Sequence, residues 1–381
     1  MDRYPEVVIA GAGIGGLTAA LALHEHGVNS LVLERAAPLR ALGLGINLLP
    51  HAVAELDRLG LAQELSRIAA APSAICYYRA DGTLLFREPR GIEGGYGWPQ
   101  YSVHRGELQM LLLGAVGARL ADDTVQTGVE VTGFTQDAEV VTAHTTVGDV
   151  SSDFLIGADG IHSTLRAQLH PGADPLLWSG VRLVRGATPG EPFLDGRTMV
   201  IIKADDGVEL VVYPIGGGLI NWILKLPEGP AGLLPLDADW DQPGNRSEAM
   251  AGVGDWRLDW LDVVDLIGRT ETVLGYPMVD KAHLPSWGSG SVTLLGDAAH
   301  PMYPVGANGA SQSILDARVL AEELVTAGEP GLRAYEKQRR AETAEVVTAN
   351  RDIYSVEIAP QAIAEATATY RRRTRADQNT R

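Results

Sequence analysis

The sequence predicts an α/β composite in which a parallel-sheet domain, assembled from both ends of the chain, is interrupted by an inserted antiparallel-sheet domain. Three observations carry this. Residues 7–33 run through an apolar stretch, a glycine cluster, a helical pattern and a second apolar stretch, the order of a βαβ unit. Residues 180–284 change to short β-type runs separated by Gly, Pro and Asp turns. From residue 292 a buried strand followed by a helical pattern returns the chain to its opening domain.

Taken in order, VVIA at 7–10 opens the sheet, 17–26 has helical spacing, Gly27 stops that helix, and 31–33 is the next strand. Residues 51–68 and 105–120 are predicted amphipathic helices, and 129–134, 140–145 and 153–156 predicted strands. All fall in the first part of the opening domain, set at 1–175. The inserted domain, 176–284, has predicted strands at 181–184, 199–202, 210–213 and 220–226. The opening domain resumes over 285–381 with a strand at 292–295, a helix at 309–326 and one or two helices over the Ala/Glu/Arg-rich residues 331–368.

The chain has 381 residues, 45% apolar and 21% charged, which suffices for a packed interior and argues against global disorder. Its 31 basic and 48 acidic residues leave a net charge of −17, which repels phosphate backbones and disfavours nucleic acid as a partner. Arg371, Arg372, Arg373 and Arg375 form the one basic cluster and read as a solvated tail. Cys76 is the only cysteine, so no intrachain disulfide forms and a cytoplasmic setting is expected. No signal-peptide pattern is evident, and no apolar run approaches the ~20 residues of a membrane span. The histidines have neither helical pairing nor cysteine companions, so no metal site is expected; His162 and His300 read as structural or solvent-facing.

Gly11-Ala12-Gly13-Ile14-Gly15-Gly16 satisfies G-x-G-x-x-G after a strand and at the opening of a helix. The first glycine permits the tight turn, the second lets backbone approach a pyrophosphate, and the third lets helix and strand pack closely. Glu34, 23 positions after Gly11, is placed to accept hydrogen bonds from ribose hydroxyls. Dinucleotide binding follows. Two further Gly/Asp turns sit at strand ends: Asp159-Gly160, and Gly296-Asp297 in GDAAHP. A nicotinamide dehydrogenase has no need of them.

Together these three fingerprints resemble those of the FAD-dependent aromatic hydroxylases, the single-component flavoprotein monooxygenases with the p-hydroxybenzoate hydroxylase-like fold. The resemblance covers essentially the whole chain. GLGINLLPHAVAEL, PQYSVHRGELQM, GADGIHSTLRAQLHP and LLGDAAHPMYPVGANGASQSILDA are most similar to its phenazine carboxylate monooxygenase and salicylate hydroxylase branch. It implies that Asp297 bonds the ribitol chain, that Asp159 and Gly160 serve both FAD and NAD(P)H, and that Arg105 lies near the FAD phosphates with Gln109 one turn later. Arg35 and Val129 join Glu34 among the implied cofactor contacts. Gly45 and Ile46 are placed at the pyrimidine edge. Pro304, Gly306, Ala307, Asn308 and Gly309 form the flavin-facing loop, whose following helix N-terminus favours negative charge on reduced flavin. Tyr213, Trp222 and Tyr303 are candidate pocket aromatics.

The implied reaction uses noncovalent FAD, with NAD(P)H and O2 as co-substrates and a flavin C4a-hydroperoxide as oxygen donor to an aromatic or heteroaromatic small molecule, possibly with decarboxylation, in secondary metabolism. A single G-x-G-x-x-G leaves no second nicotinamide domain, so the nicotinamide visits a shared cleft and no reductase partner is required; a monomer or homodimer is expected. No dedicated catalytic base is evident. The alternative is a reductase or dehydrogenase on the same fold that inserts no oxygen.

Overall fold

The computed structural model describes residues 5–172, 174–234, 242–354 and 359–374. Val7–Ala10 forms the centre of a six-stranded sheet, flanked by Ser30–Glu34 and Val125–Thr127 on one side and by Phe154–Gly157, Val292–Leu294 and Gly288–Ser289 on the other. All neighbours are parallel except the terminal hairpin of Gly288–Ser289 with Val292–Leu294. Val7, Val8 and Ile9 are fully buried, as a parallel strand covered on both faces requires. The long helix Gly309–Ala327 packs on Ile14–Glu25, so segments nearly 300 residues apart share one core.

A second sheet carries the strands Gln242–Pro243, Val273–Asp280, Leu177–Pro189, Leu219–Pro227, Glu209–Pro214, Thr198–Lys203, Ala74–Arg79 and Leu84–Pro89 in that order, with Gly232–Leu233 attached to the side of Leu177–Pro189. Two of these strands, within 74–89, come from the segment the sequence assigns to the opening domain. Ala74–Arg79 joins parallel to Thr198–Lys203, because Ile75 and Tyr77 supply the apolar alternation that extends the sheet's inner face. The last helix, Pro360–Thr374, departs from the expected division as well: Ile363 is buried against this sheet with Met199 and Tyr213. That helix contains Arg371, Arg372 and Arg373, beyond the expected limit at 368, whereas Arg375 lies outside the described residues.

The predicted helix 51–68 is two helices, Pro50–Arg58 and Ala62–Ile68, broken at Gly60, whose φ of +70° no helix accommodates. The two faces of the large sheet follow its period-2 alternation. Val200, Ile202, Val212, Trp222 and Leu224 point to one side, under the short helices Arg246–Gly252 and Val263–Gly268. Met199, Tyr213 and Ile223 point to the other, towards the first domain.

One buried carboxylate ties the returning segments together. Asp316 accepts hydrogen bonds from the Gly296 amide (3.0 Å), the His300 ring (2.6 Å) and Arg339 Nε (2.7 Å), and both Asp316 and Arg339 are essentially inaccessible. Burial alone would raise the Asp316 pKa, but the charges of His300 and Arg339 outweigh it and bring it from 3.8 down to about 2. Asp316→Ala leaves Arg339 buried without its counter-charge and is expected to cost ~3–5 kcal/mol, read as a lower urea midpoint. Because the depressed pKa stabilises the fold above about pH 4 and that contribution is lost as pH falls towards 2, the gap between wild type and variant should close over that interval.

Candidate active site

The glycine turn is built for backbone contact. A Cβ on Gly11, which has φ +104°, would lie 2.5 Å from the Ala158 carbonyl oxygen, and one on Gly16 would lie 2.0 Å from the Gly11 carbonyl oxygen. Gly15 abuts the Leu295 side chain, whereas nothing lies within 4 Å of a Cβ placed on Gly13. The turn is thus close-packed on three sides and open at Gly13, where the helix Ile14–Glu25 begins with no side-chain cap and no acidic residue in its first turn. Its free N–H groups are available to an anion. Gln109 donates to the Ala12 carbonyl (2.7 Å), and Glu34 accepts from the amides of Ala12 and Ala36, both at 2.8 Å. Arg35 is exposed beside Glu34, and the Val129 amide bonds the Glu34 carbonyl (2.9 Å).

The other fingerprint residues converge on the same side of the sheet. Asp159 accepts from the Thr164 amide (2.8 Å), fixing the turn in which Gly160 has φ +81°. Asp297 lines the cavity with its side chain accessible, and desolvation by the surrounding protein raises its pKa against the opposing charges of His300 and Arg105. Gly309 stands 3.9 Å from Asp297 Oδ1 by its Cβ position and starts the helix Gly309–Ala327, whose N-terminus likewise lacks a side-chain cap and an acidic first turn. Just before it, Gly306 and Ala307 both take left-handed φ values, +72° and +66°, the second a strained conformation for a residue with a Cβ. Asn308 holds the loop by donating to the Gly306 carbonyl (3.2 Å).

Between this loop and the inner face of the large sheet lies a cavity of about 280 Å³. Ile75, Met199, Ile201, Val211 and Ile223 give it an apolar wall, and Pro304, Val305 and Gly306 border it from the opposite side. Gly45 is clamped at its edge: its amide donates to Asn221 Oδ1 (2.7 Å), and its carbonyl accepts from Arg185 Nη2 (2.6 Å) and the Tyr213 hydroxyl (3.0 Å). A Cβ there would come within 2.6 Å of Asn221, so the position demands glycine. Arg185 is steadied in turn by the Tyr276 hydroxyl (2.6 Å).

Of the three predicted pocket aromatics, two reach the cavity. Tyr213 and Tyr303 line the cavity, but Trp222 lies on the far face of the sheet, fully buried, with its indole donating to Thr188 and Thr270. Its register partner is Val212 and not Tyr213, so strand alternation alone turns it away. His300 is a buried structural group, and His162 is exposed. Sequence reasoning missed Arg185, Asn221, Lys203, Glu209 and Lys225; only the alternation of 199, 201 and 203 with 209, 211 and 213 hinted at a shared face.

These features define a flavin-binding fold joined to a substrate-sized cavity. Residues 4–217 and 278–350 match the family described as FAD binding domain, and the chain belongs to it. Phenazine 1,6-dicarboxylic acid hydroxylase of Lysobacter antibioticus is 45% identical across 91% of this chain and 89% of its own length. 3-Hydroxybenzoate 6-hydroxylase 1 of Aquipseudomonas alcaligenes is 32% identical across 91% and 88%. Among solved structures, Klebsiella pneumoniae HpxO complexed with FAD and uric acid superposes with a TM-score of 0.80 at 25% identity, covering 98% of this chain and 95% of that one. The protein is an FAD-dependent monooxygenase that hydroxylates an aromatic small molecule at the expense of NAD(P)H and O2. Among the described residues no helix is long and apolar enough to cross a membrane.

The clamp on Gly45 yields a direct expectation. Arg185→Met removes one of two donors to its carbonyl, so the Gly45 and Asn47 amides should exchange with deuterium about tenfold faster, the effect of roughly 1.5 kcal/mol for a charged hydrogen bond. Exchange unchanged from wild type would mean that Tyr213 alone suffices.

Proposed function

We propose that this monooxygenase hydroxylates the ring of a polycyclic or N-heteroaromatic acid, a phenazine carboxylate being the substrate its relatives support best. The observation that carries this reading is the cavity itself, flat-walled by strand residues and bordered directly by the loop at Pro304 and Gly306. Both requirements of the cofactor are met by residues in place: open backbone at Gly13 with an uncapped helix behind it, and an accessible acidic group lining the cavity in Asp297. Gly11, Gly13, Ile14, Gly15 and Gly16 would hold the pyrophosphate, with Arg105 beside it; Glu34, Arg35 and Val129 would border the adenosine; Asp297 would take the ribitol. Asp159 and Gly160 would shape the turn between them, and Gly45, Ile46, Pro304, Ala307, Asn308 and Gly309 would frame the ring system.

Held by these residues, FAD would supply the redox chemistry, with NAD(P)H as the two-electron donor and O2 as the source of the ring oxygen and of one water. The chain's own residues control where that happens. Ile75, Met199, Val211 and Ile223 exclude water from the ring, and Tyr213 and Tyr303 limit its orientation. The uncapped N-terminus at Gly309 favours negative charge at the edge it faces. Where the oxygen enters at a carbon that bears a carboxylate, carbon dioxide leaves in place of a proton. We further read the chain as needing no reductase partner, as a monomer or homodimer, and as cytoplasmic, a setting that the lone buried Cys76 supports.

Two measurements test the reading. Asp297→Ala is expected to weaken FAD binding by about 10- to 100-fold, the ~1.5–3 kcal/mol of a charged hydrogen bond, while acid precipitation of wild type releases the yellow colour to the supernatant. Flavin retained through dialysis of the variant would displace Asp297 from the site. In anaerobic stopped-flow, phenazine-1-carboxylate or the 1,6-dicarboxylate should speed flavin bleaching by NAD(P)H at least about tenfold, ~1.4 kcal/mol in barrier. Equal rates with and without either acid, and no hydroxylated product in air, would remove phenazine acids as substrates.

A further inference from the structure

Arg185 places a charge in an apolar row of the cavity wall. Across the large sheet it pairs with Leu274 on one side and Ile223 on the other, Ile223 pairs with Val211, and Val211 with Ile201. Cross-strand partners share a face, so Arg185 lines the cavity together with Ile201, Val211 and Ile223. The side chain is half-buried, and the partners of its guanidinium are neutral: Nη1 donates to the Tyr276 hydroxyl and Nη2 to the Gly45 carbonyl, both at 2.6 Å. Those bonds engage two of the five N–H groups that an arginine carries. Nε is enclosed by protein and has no hydrogen-bond partner.

No carboxylate meets this charge among the described residues. The groups that act on it electrostatically are Tyr276 and Tyr213, and burial pushes the Tyr213 pKa up to about 12, so that phenol stays neutral. Acids around the cavity face other cations. Glu209 contacts Lys203 and Lys225, Glu88 contacts Arg90, and the opposing charges at Asp297 are His300 and Arg105. The clamp on Gly45 does not call for a cation either, because the neutral Tyr213 hydroxyl donates to the same carbonyl. Solvent in an open cavity hydrates a guanidinium, and an aromatic ring that fills the cavity displaces that solvent. A neutral ring then leaves the charge unmatched, whereas an anionic oxygen replaces the lost water with a charge-assisted hydrogen bond.

We propose that Arg185 is a specificity-determining residue that receives an anionic oxygen of the substrate, a carboxylate on or beside the ring carbon to be hydroxylated. This rests on the aromatic-acid reading above and makes it specific. Nη2 is one hydrogen bond from Gly45, which frames the flavin ring in that reading, so the acid group enters at the flavin end of the cavity. Acids are thereby chosen over amides of the same shape.

The test uses the FAD-loaded enzyme and two matched pairs of probes, phenazine-1-carboxylate with phenazine-1-carboxamide and 3-hydroxybenzoate with 3-hydroxybenzamide, with dissociation constants read from the flavin absorbance change. Arg185→Met should weaken the acids at least about tenfold and leave the amides within about twofold, and Arg185→Lys should restore most of the loss. Tyr213→Phe removes the other donor to Gly45 and keeps the charge, so it should change acid and amide by the same factor. A guanidinium that served only the clamp or the flavin would weaken acid and amide alike in Arg185→Met, and that result overturns the proposal. Selectivity lost equally in Tyr213→Phe overturns it as well. If wild type prefers neither acid over its amide, the proposal falls, while the hydroxylase reading stands wherever an acid is turned over. An Arg185-dependent preference for 3-hydroxybenzoate, with phenazine-1-carboxylate neither bound nor hydroxylated, upholds the proposal and removes the phenazine reading.

Discussion

The backbone of Gly45 is the point on which the two halves of the molecule close. Three side chains from the large sheet, Arg185, Tyr213 and Asn221, satisfy its carbonyl and amide, and no Cβ fits between them. Tyr213 and Asn221 are buried and Arg185 half-buried, so each would be costly to leave without a partner. The strand Gly45–Leu48 is thereby fixed against the cavity from one side while it pairs with Tyr101–His104 on the other. Arg105, at the start of the next helix, follows from that pairing, its amide bonded to the Leu44 carbonyl at 2.9 Å. A cofactor-side segment and a substrate-side sheet thus meet at a residue with no side chain.

Behind that junction the Asp316 cluster plays the complementary part. It draws Gly296, His300 and Arg339 onto one carboxylate, so the turn bearing Asp297 cannot shift without disturbing two long helices. The loop from Pro304 to Gly309 is consequently suspended between fixed points, and its two left-handed residues, Gly306 and Ala307, take up the change of direction. Strain is concentrated where the chain meets the cavity and the surroundings are rigid.

The nucleotide half of the molecule was legible because its signals are local. Gly11 to Gly16, Glu34 and the turn at Asp297 each carry their meaning within a few residues, and the structure gives the glycines the close contacts their spacing predicts. The cavity was not local in this sense. Trp222 and Tyr213 looked equivalent as strand aromatics, and only the pairing of Trp222 with Val212 shows them to lie on opposite faces. Lys203, Glu209 and Lys225 are spread over more than twenty positions and read singly as charged strand ends; register alone makes them neighbours. The hairpin at 74–89 escaped for the same reason, since its partner strand begins at residue 198. The last helix seemed to belong to the first domain because amphipathic spacing reports that a face is buried and not against what.

The wall of the cavity is assembled from Ile75, Met199, Tyr303 and Ile363, which are synthesised in that order over most of the chain's length. During translation the glycine turn and its two parallel strands emerge early, yet the pocket has no complete perimeter until the final helix has left the ribosome. The sheet that carries the glycine turn is itself completed only by Val292–Leu294 and the helix Gly309–Ala327, so nucleotide site and ring pocket alike belong to a nearly finished polypeptide.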